Sequence, residues 1–137
     1  MDNIIQKVAT RAVIINREGK VLIIKESGKY KDGTQIGRWD LPGGKVNIME
    51  DWQDGLKREV REEVGLEIEI GKPLYVGEWR PTVHGVQFQI IGVFLKCIPK
   101  NEDVKLGEDH DAFEWVDPKN HKDFDIVFEA SEAIDAL

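Results

Sequence analysis

The sequence predicts an α/β sandwich with mixed β-sheets, and three observations carry that prediction. Segments rich in β-branched residues follow the order strands, helix, strands, helix along the chain. Trp52 to Val64 reads as an amphipathic helix, with Asp51 as its N-cap and Gly65 as the left-handed residue that ends it. Phe88 to Cys97 (FQIIGVFLKC) is the longest apolar stretch and has the length of a central strand.

Each element has its own local signal. Lys7 to Ile15 and Val21 to Lys25 flank the turn NREGK and predict a hairpin. Ser27 to Gly37 is polar and glycine-containing, which predicts a mobile loop beside the site. Trp39 to Leu41 is a short strand running into Pro42-Gly43-Gly44, where paired glycines let backbone approach a ligand. Leu66 to Ile70 and Leu74 to Trp79 are the next strands. After the central strand come a charged loop (Lys100 to Asp111), a short strand (Phe113 to Val116), and the turn DPKNHKDF. A last helix is expected from about Ile126 to Leu137. With no internal repeat, linker or low-complexity tract, residues 1–137 are expected to form one domain.

Composition narrows the function. An apolar content of 41% and a charged content of 33% suit a soluble globular protein. The net charge of -7 argues against a nucleic-acid polymer as partner, since such a surface needs a basic stripe. A small phosphate substrate remains compatible if metal ions supply local positive charge. No apolar run approaches the roughly 20 residues of a membrane span, and MDNIIQKVATR lacks a signal peptide's basic start and apolar segment. One cysteine, Cys97, excludes an internal disulfide; in FLKCI it reads as a core residue of a protein from a reducing cytoplasm.

The chemistry concentrates between Leu41 and Leu66 (LPGGKVNIMEDWQDGLKREVREEVGL). At about 100° per residue, Glu59, Glu62 and Glu63 share one arc of the helix. Leu56, Val60 and Val64 form the adjacent apolar stripe. Like charges at i, i+3 and i+4 repel, and they sit at the end of the macrodipole that disfavours anions. A solvated acidic face with Lys57, Arg58 and Arg61 as partners is the plain reading. A divalent cation would remove both penalties, because Mg²⁺ or Mn²⁺ takes hard oxygen ligands.

The spacing favours the second reading. Gly44, five residues, Glu50, seven residues, Arg58-Glu59-Val60, one residue, Glu62-Glu63, one residue, Gly65-Leu66 resembles the Nudix box at every fixed position. The chain is thus similar to Nudix hydrolases, whose fold is an α/β/α sandwich with a mixed β-sheet. Such enzymes cleave a nucleoside diphosphate linked to another moiety, using metal ions. The resemblance implies Glu59, Glu62 and Glu63 as ligands of Mg²⁺ or Mn²⁺, with the carbonyl of Gly43 as a further ligand. One of these glutamates, or a loop acid, would be the general base. Arg58 and Glu50 would orient the ligands.

Other assignments lie outside the box. The family often adds an acid from the loop before the late strand, which points to Asp109 and Glu108, with Asp111 nearby. His110 and Trp115 also resemble a family pattern; the histidine would pack on Trp115 or shape the site. Lys45, Arg38 and Arg11 are candidates for phosphate oxygens, and Trp39, Trp79 and Phe88 for stacking on a base, with core packing as the alternative. The expected substrate is a nucleoside triphosphate, an oxidised guanine nucleotide included, cut to the monophosphate and pyrophosphate. Alternatives are ADP-ribose or another nucleoside-diphosphate sugar (Pro81 stands near a proline of such enzymes), a dinucleoside polyphosphate, and non-catalytic nucleotide binding. A monomer or a homodimer is expected.

Overall fold

The helix forms over the residues that its caps mark. In the computed structural model, which describes residues 3–137, α1 spans Trp52–Val64. The Asp51 side chain accepts from the backbone N–H groups of Gln53 and Asp54, and Gly65 closes the helix at φ 69°. Met1 and Asp2, part of the segment on which the expectation about a signal peptide rests, lie outside the described residues.

Strands β1 (Ile4–Ile14), β2 (Val21–Glu26), β3 (Trp39–Asp40), β4 (Gly43–Lys45), β5 (Ile68–Trp79), β6 (Thr82–Val83), β7 (Val86–Pro99) and β8 (His110–Val116) form two sheets. One runs β4-β1-β7-β5 with β6 added to β7, and the other runs β3-β2-β8. The first sheet is mixed, because β1 and β7 are parallel while the remaining pairs are antiparallel. The apolar run expected to be central is so, as β7 lies between β1 and β5.

The predicted hairpin does not form as a ladder. β1 and β2 meet at the single bridge Ile15 to Val21, with the Asn16 N–H donating to the Lys20 carbonyl. Beyond that turn they part into different sheets, β1 pairing with β7 and β2 with β8. The reason is burial on both faces. Ala12 and Ile14 of β1, with Leu22 and Ile24 of β2, join one core beside Leu56, Val60 and Val64 of α1. Val13, Val21 and Ile23 join a second core beneath Ala130, Ala133 and Ile134 of the last helix, α2 (Phe128–Asp135). Strands apolar on both faces need a layer on each side, which a hairpin open to solvent cannot supply. The result is the α/β/α sandwich.

Smaller differences have local causes. The two strands expected between Leu66 and Trp79 are one, β5, with register shifts around Pro73, whose missing N–H is tolerated on this edge strand. The turn before α2 is a short 3₁₀ segment, Pro118–Asp123, capped by Asp117. Cys97 is buried and free, its thiol pushed up to about 12 by burial. Among the described residues no helix is long and apolar enough to cross a membrane.

Candidate active site

The site begins where the two sheets are joined. β3 pairs with β2, β4 pairs with β1, and Leu41-Pro42 carries the chain between them. Gly43 adopts φ +142°, and a Cβ there would strike the Thr10 carbonyl and the Arg11 backbone. At Gly44 a Cβ would lie 2.8–3.0 Å from the carboxyl group of Glu59. The glycine pair therefore lets α1 lower two glutamates onto bare backbone. The Gly43 N–H donates to Glu63 Oε1 at 2.7 Å. On either side, Ala12 N–H donates to the Pro42 carbonyl and Val46 N–H to that of Val8. Antiparallel alternation then leaves the backbone groups of Gly43, opposite Arg11, directed away from β1 and towards the helix.

The three helix glutamates are not equivalent. Glu59 and Glu63 are half-buried and Glu62 is exposed. Burial pushes the Glu63 carboxyl up to about 8, Glu59 adding to the effect while Arg11 and the Gly43 N–H oppose it. Burial also raises Glu59, against the pull of Arg58. Arg58 forms a two-pronged bond to Glu50, Nε to Oε2 at 2.9 Å and Nη2 to Oε1 at 3.1 Å. Its Nη1 lies 3.2 Å from Glu59 Oε1 and 3.4 Å from Glu62 Oε2. Glu50 rests over Gly55, where a Cβ would come within 2.8 Å of its Oε1. The bond from Arg58 also holds the Glu50 carboxyl below its usual range. Glu50 and Arg58 thus form one planar pair that grips Glu59 and Glu62 from the side.

The charged loop completes this wall. The Lys105 N–H donates to the Val64 carbonyl at 2.8 Å and the Gly107 N–H to the Glu63 carbonyl at 2.9 Å. These bonds use carbonyls that the end of a helix leaves free. They also bring Glu108 and Asp109 onto a 340 Å³ cavity shared with Glu59, Glu62 and Glu63. Lys45 lies on the same cavity, its ammonium 4.1 Å above the Phe88 ring. Asp111 points elsewhere, 3.9 Å from the Lys25 ammonium. His110 lines the cavity and burial lowers its pKa, whereas Trp115 packs on the core with α1. Of its two expected roles, the histidine therefore takes the one of shaping the wall.

Whether this wall suits a metal ion is decided by its donors. They are all oxygens, and burial makes two of the carboxylates resist ionisation despite Arg11 and Arg58, so hard divalent cations fit. Among the described residues no three carboxylate or imidazole groups converge closely on one point. Arg58 Nη1 bridges Glu59 and Glu62, while the Gly43 N–H holds Glu63 separately.

A second cavity, of 430 Å³, opens beside the first, and Arg11, Glu26, Asp40 and Trp79 line both. Arg11 donates to the Leu41 carbonyl at 3.0 Å, lies 3.6 Å from Asp40, and sits 5.7 Å over the Trp79 ring. Burial pulls its pKa down, but Asp40, Glu63, Glu59 and Glu26 together push it above its ordinary value. Arg38 borders the second cavity with its guanidinium engaged by Asp125, Gln35 and the Ile126 carbonyl. It ties the loop after β2 to the approach to α2. Trp39 borders neither cavity; it packs edge-on against Phe124, 5.4 Å between centroids. Of the three candidates for stacking only Trp79 lines the groove; Phe88, beneath the Lys45 ammonium, borders neither cavity.

Sequence reasoning missed Glu26, Asp40, Tyr30, Phe128 and Glu129, all of which line the groove. Only Asp40 had a signal, its place two residues before the Pro42-Gly43 turn. The others reach the groove through strand pairing and helix docking.

Known proteins share this construction. A family model described as NUDIX domain matches residues 5–137. A CTP pyrophosphohydrolase of Escherichia coli is 32% identical over 79% of this chain and 74% of its own length. A nucleoside triphosphatase, NudI, of Klebsiella pneumoniae is 28% identical over 82% of this chain and 84% of its own. The crystal structure of a MutT protein from Methanosarcina mazei superposes with a TM-score of 0.84 at 26% identity, covering 98% of this chain and 94% of that one. The NUDIX domain of Shewanella oneidensis NrtR, solved with ADP ribose, superposes at 0.73 with 16% identity, covering 96% and 85%. From the box, the sandwich and these matches together, the chain belongs to the Nudix hydrolases.

Proposed function

We propose that the protein hydrolyses nucleoside triphosphates to the monophosphate and pyrophosphate with the help of Mg²⁺ or Mn²⁺. The observation that carries this reading is the joined groove, one half walled mainly by carboxylates and the other by the rings of Trp79, Phe94 and Phe128 set among polar and charged side chains of both signs. A triphosphate chain with its cations suits the first half and a nucleoside the second. The names of the two curated relatives, a CTP pyrophosphohydrolase and a nucleoside triphosphatase, point the same way.

In this reading Glu59, Glu62 and Glu63, with the Gly43 carbonyl, hold the cations. When bound, these neutralise the diphosphate and acidify a water. Arg58, braced by Glu50, sets the angle of Glu59 and Glu62. Arg11 lies between the halves and directs its charge at phosphate oxygens, as Lys45 does from the strand edge. Arg38 shapes the nucleoside half through its bonds to Gln35 and Ile126. Asp109 and Glu108, on the same wall without sharing Arg58, are suited to take the proton of the attacking water.

The test is a panel of nucleotides incubated with Mg²⁺ and with Mn²⁺, the products identified by mass. Monophosphate and pyrophosphate are expected. A second reading, cleavage of a nucleoside-diphosphate sugar, draws on Arg80 and Pro81 bordering the nucleoside half and on the neighbour holding ADP ribose. Sugar phosphate among the products would select it. Nucleotide binding without turnover by any member of the panel would leave a non-catalytic role.

A further inference from the structure

The nucleoside half contains a carboxylate held in place for a purpose that catalysis does not use. Glu129, at the start of α2, receives a hydrogen bond from the Tyr75 hydroxyl at 2.6 Å. This bond pushes the phenol up to about 12, so it remains a donor throughout the neutral range. The carboxyl lies over Gly77 of β5, where a Cβ would come within 2.8 Å of its Cδ. Gly77 pairs across the sheet with Gly92 of β7, and a Cβ on Gly92 would strike the Trp79 indole. Two facing glycines thus open a hollow in the sheet that seats an aromatic plane and a fixed acceptor side by side. Both Trp79 and Glu129 border the 430 Å³ cavity, and Phe128, 67% exposed, stands at its edge.

A carboxylate ion only accepts hydrogen bonds. Tyr75 uses one of its lone pairs, and the rest require N–H or O–H partners. A base edge with an exocyclic amino group supplies them: cytosine through its 4-amino group, adenine through its 6-amino group, guanine through N1–H and the 2-amino group together. A keto oxygen in the same place would face the carboxylate as a second acceptor and leave the side turned to the base without a donor.

We infer that Glu129, positioned by Tyr75 and the Gly77–Gly92 hollow, selects nucleotides with an exocyclic amino group over counterparts that carry a keto oxygen or hydrogen in its place. The inference rests on the nucleoside triphosphate reading above and assigns its base specificity. No step of the hydrolysis runs through Glu129.

The test compares kcat/KM for CTP against UTP, ATP against ITP, and GTP against ITP, in the wild-type protein, Glu129→Gln and Tyr75→Phe. Circular dichroism confirms that each variant folds. Trp79 fluorescence during titration with the matching monophosphates gives an affinity ratio independent of turnover. The wild-type protein should prefer at least one amino-bearing member, on the order of 100-fold for the loss of a hydrogen bond to a charged, partly buried acceptor. The pair that shows it identifies the base. Glu129→Gln should bring that ratio towards unity, because an amide both donates and accepts. Tyr75→Phe should reduce it in part. Equal use of all pairs, or a ratio unmoved in Glu129→Gln, overturns the inference and leaves the hydrolase reading standing. Failure to hydrolyse any of these nucleotides overturns the reading on which it rests.

Discussion

The two halves of the groove are built in opposite ways. The acidic half is built around one stretch, Gly43 to Glu63, in which a turn, a capped helix and three glutamates follow one another, with Glu26, Asp40, Glu108 and Asp109 added from neighbouring segments. The nucleoside half is gathered from β1, the loop after β2, the β5–β6 corner and the start of α2. Chemistry that needs oxygens at fixed helical spacing can be encoded locally. Recognition of a base needs surfaces on several sides, so it is encoded in the packing. Substitutions in the first half should therefore damage turnover, and those in the second should alter binding and choice of substrate.

The largest effect is expected at the helix glutamates. Glu62→Gln or Glu63→Gln should lower kcat on the order of 10³-fold or more while circular dichroism shows the fold intact. Rates near wild type would remove these residues from the metal assignment. Arg58→Lys comes next, because an ammonium cannot make the forked bond to Glu50 and still reach Glu59. About 10–100-fold should be lost in activity or metal affinity; a smaller loss, equal to that of Lys57→Arg, would reduce Arg58 to a surface charge. Asp109→Asn should cost less than the glutamates and shift the acid limb of the pH–rate profile. An unchanged profile would exclude it as base.

In the other half, Trp79→Ala should raise KM by about 10-fold, the loss of one stacking contact, with kcat less affected. A fall in kcat at constant KM would erase the distinction between the halves. The smallest effect concerns stability. The Glu63 pKa rises from 4.5 to about 8 on folding, so the folded state binds the proton more tightly than the unfolded chain. That contribution is present in full below about 4.5 and is lost as pH rises to about 8. The Tm of the metal-free protein should fall over this window, Mg²⁺ should restore it, and Glu63→Gln should flatten the dependence. A Tm that rises with pH would contradict the burial of this carboxyl.

Reading these halves from the chain succeeds unequally for the same reason. The ends of α1 follow from Asp51 and Gly65, whose capping bonds reach only a few residues. The succession of strands and helices along the chain and the burial of Cys97 follow from pattern, whereas Glu108 and Asp109 were expected beside the box glutamates only through the family resemblance. The hairpin of β1 and β2 was expected from a good turn signal, yet the turn decides only where the chain reverses. Partners 83 residues away won, as the register of Ala12 with Leu95 shows. Trp39 and Trp79 look alike in sequence; Phe124 covers the first, while the Gly77–Gly92 hollow turns the second towards the groove.

Residue order alone settled the helix, its caps, the acidic spacing and the class of chemistry, because those features depend on contacts within a few turns of chain. The three-dimensional packing decided which strands pair, which tryptophan meets the groove and where Glu129 stands. Those outcomes depend on apolar faces competing for cover across the whole molecule, and no local pattern records the winner.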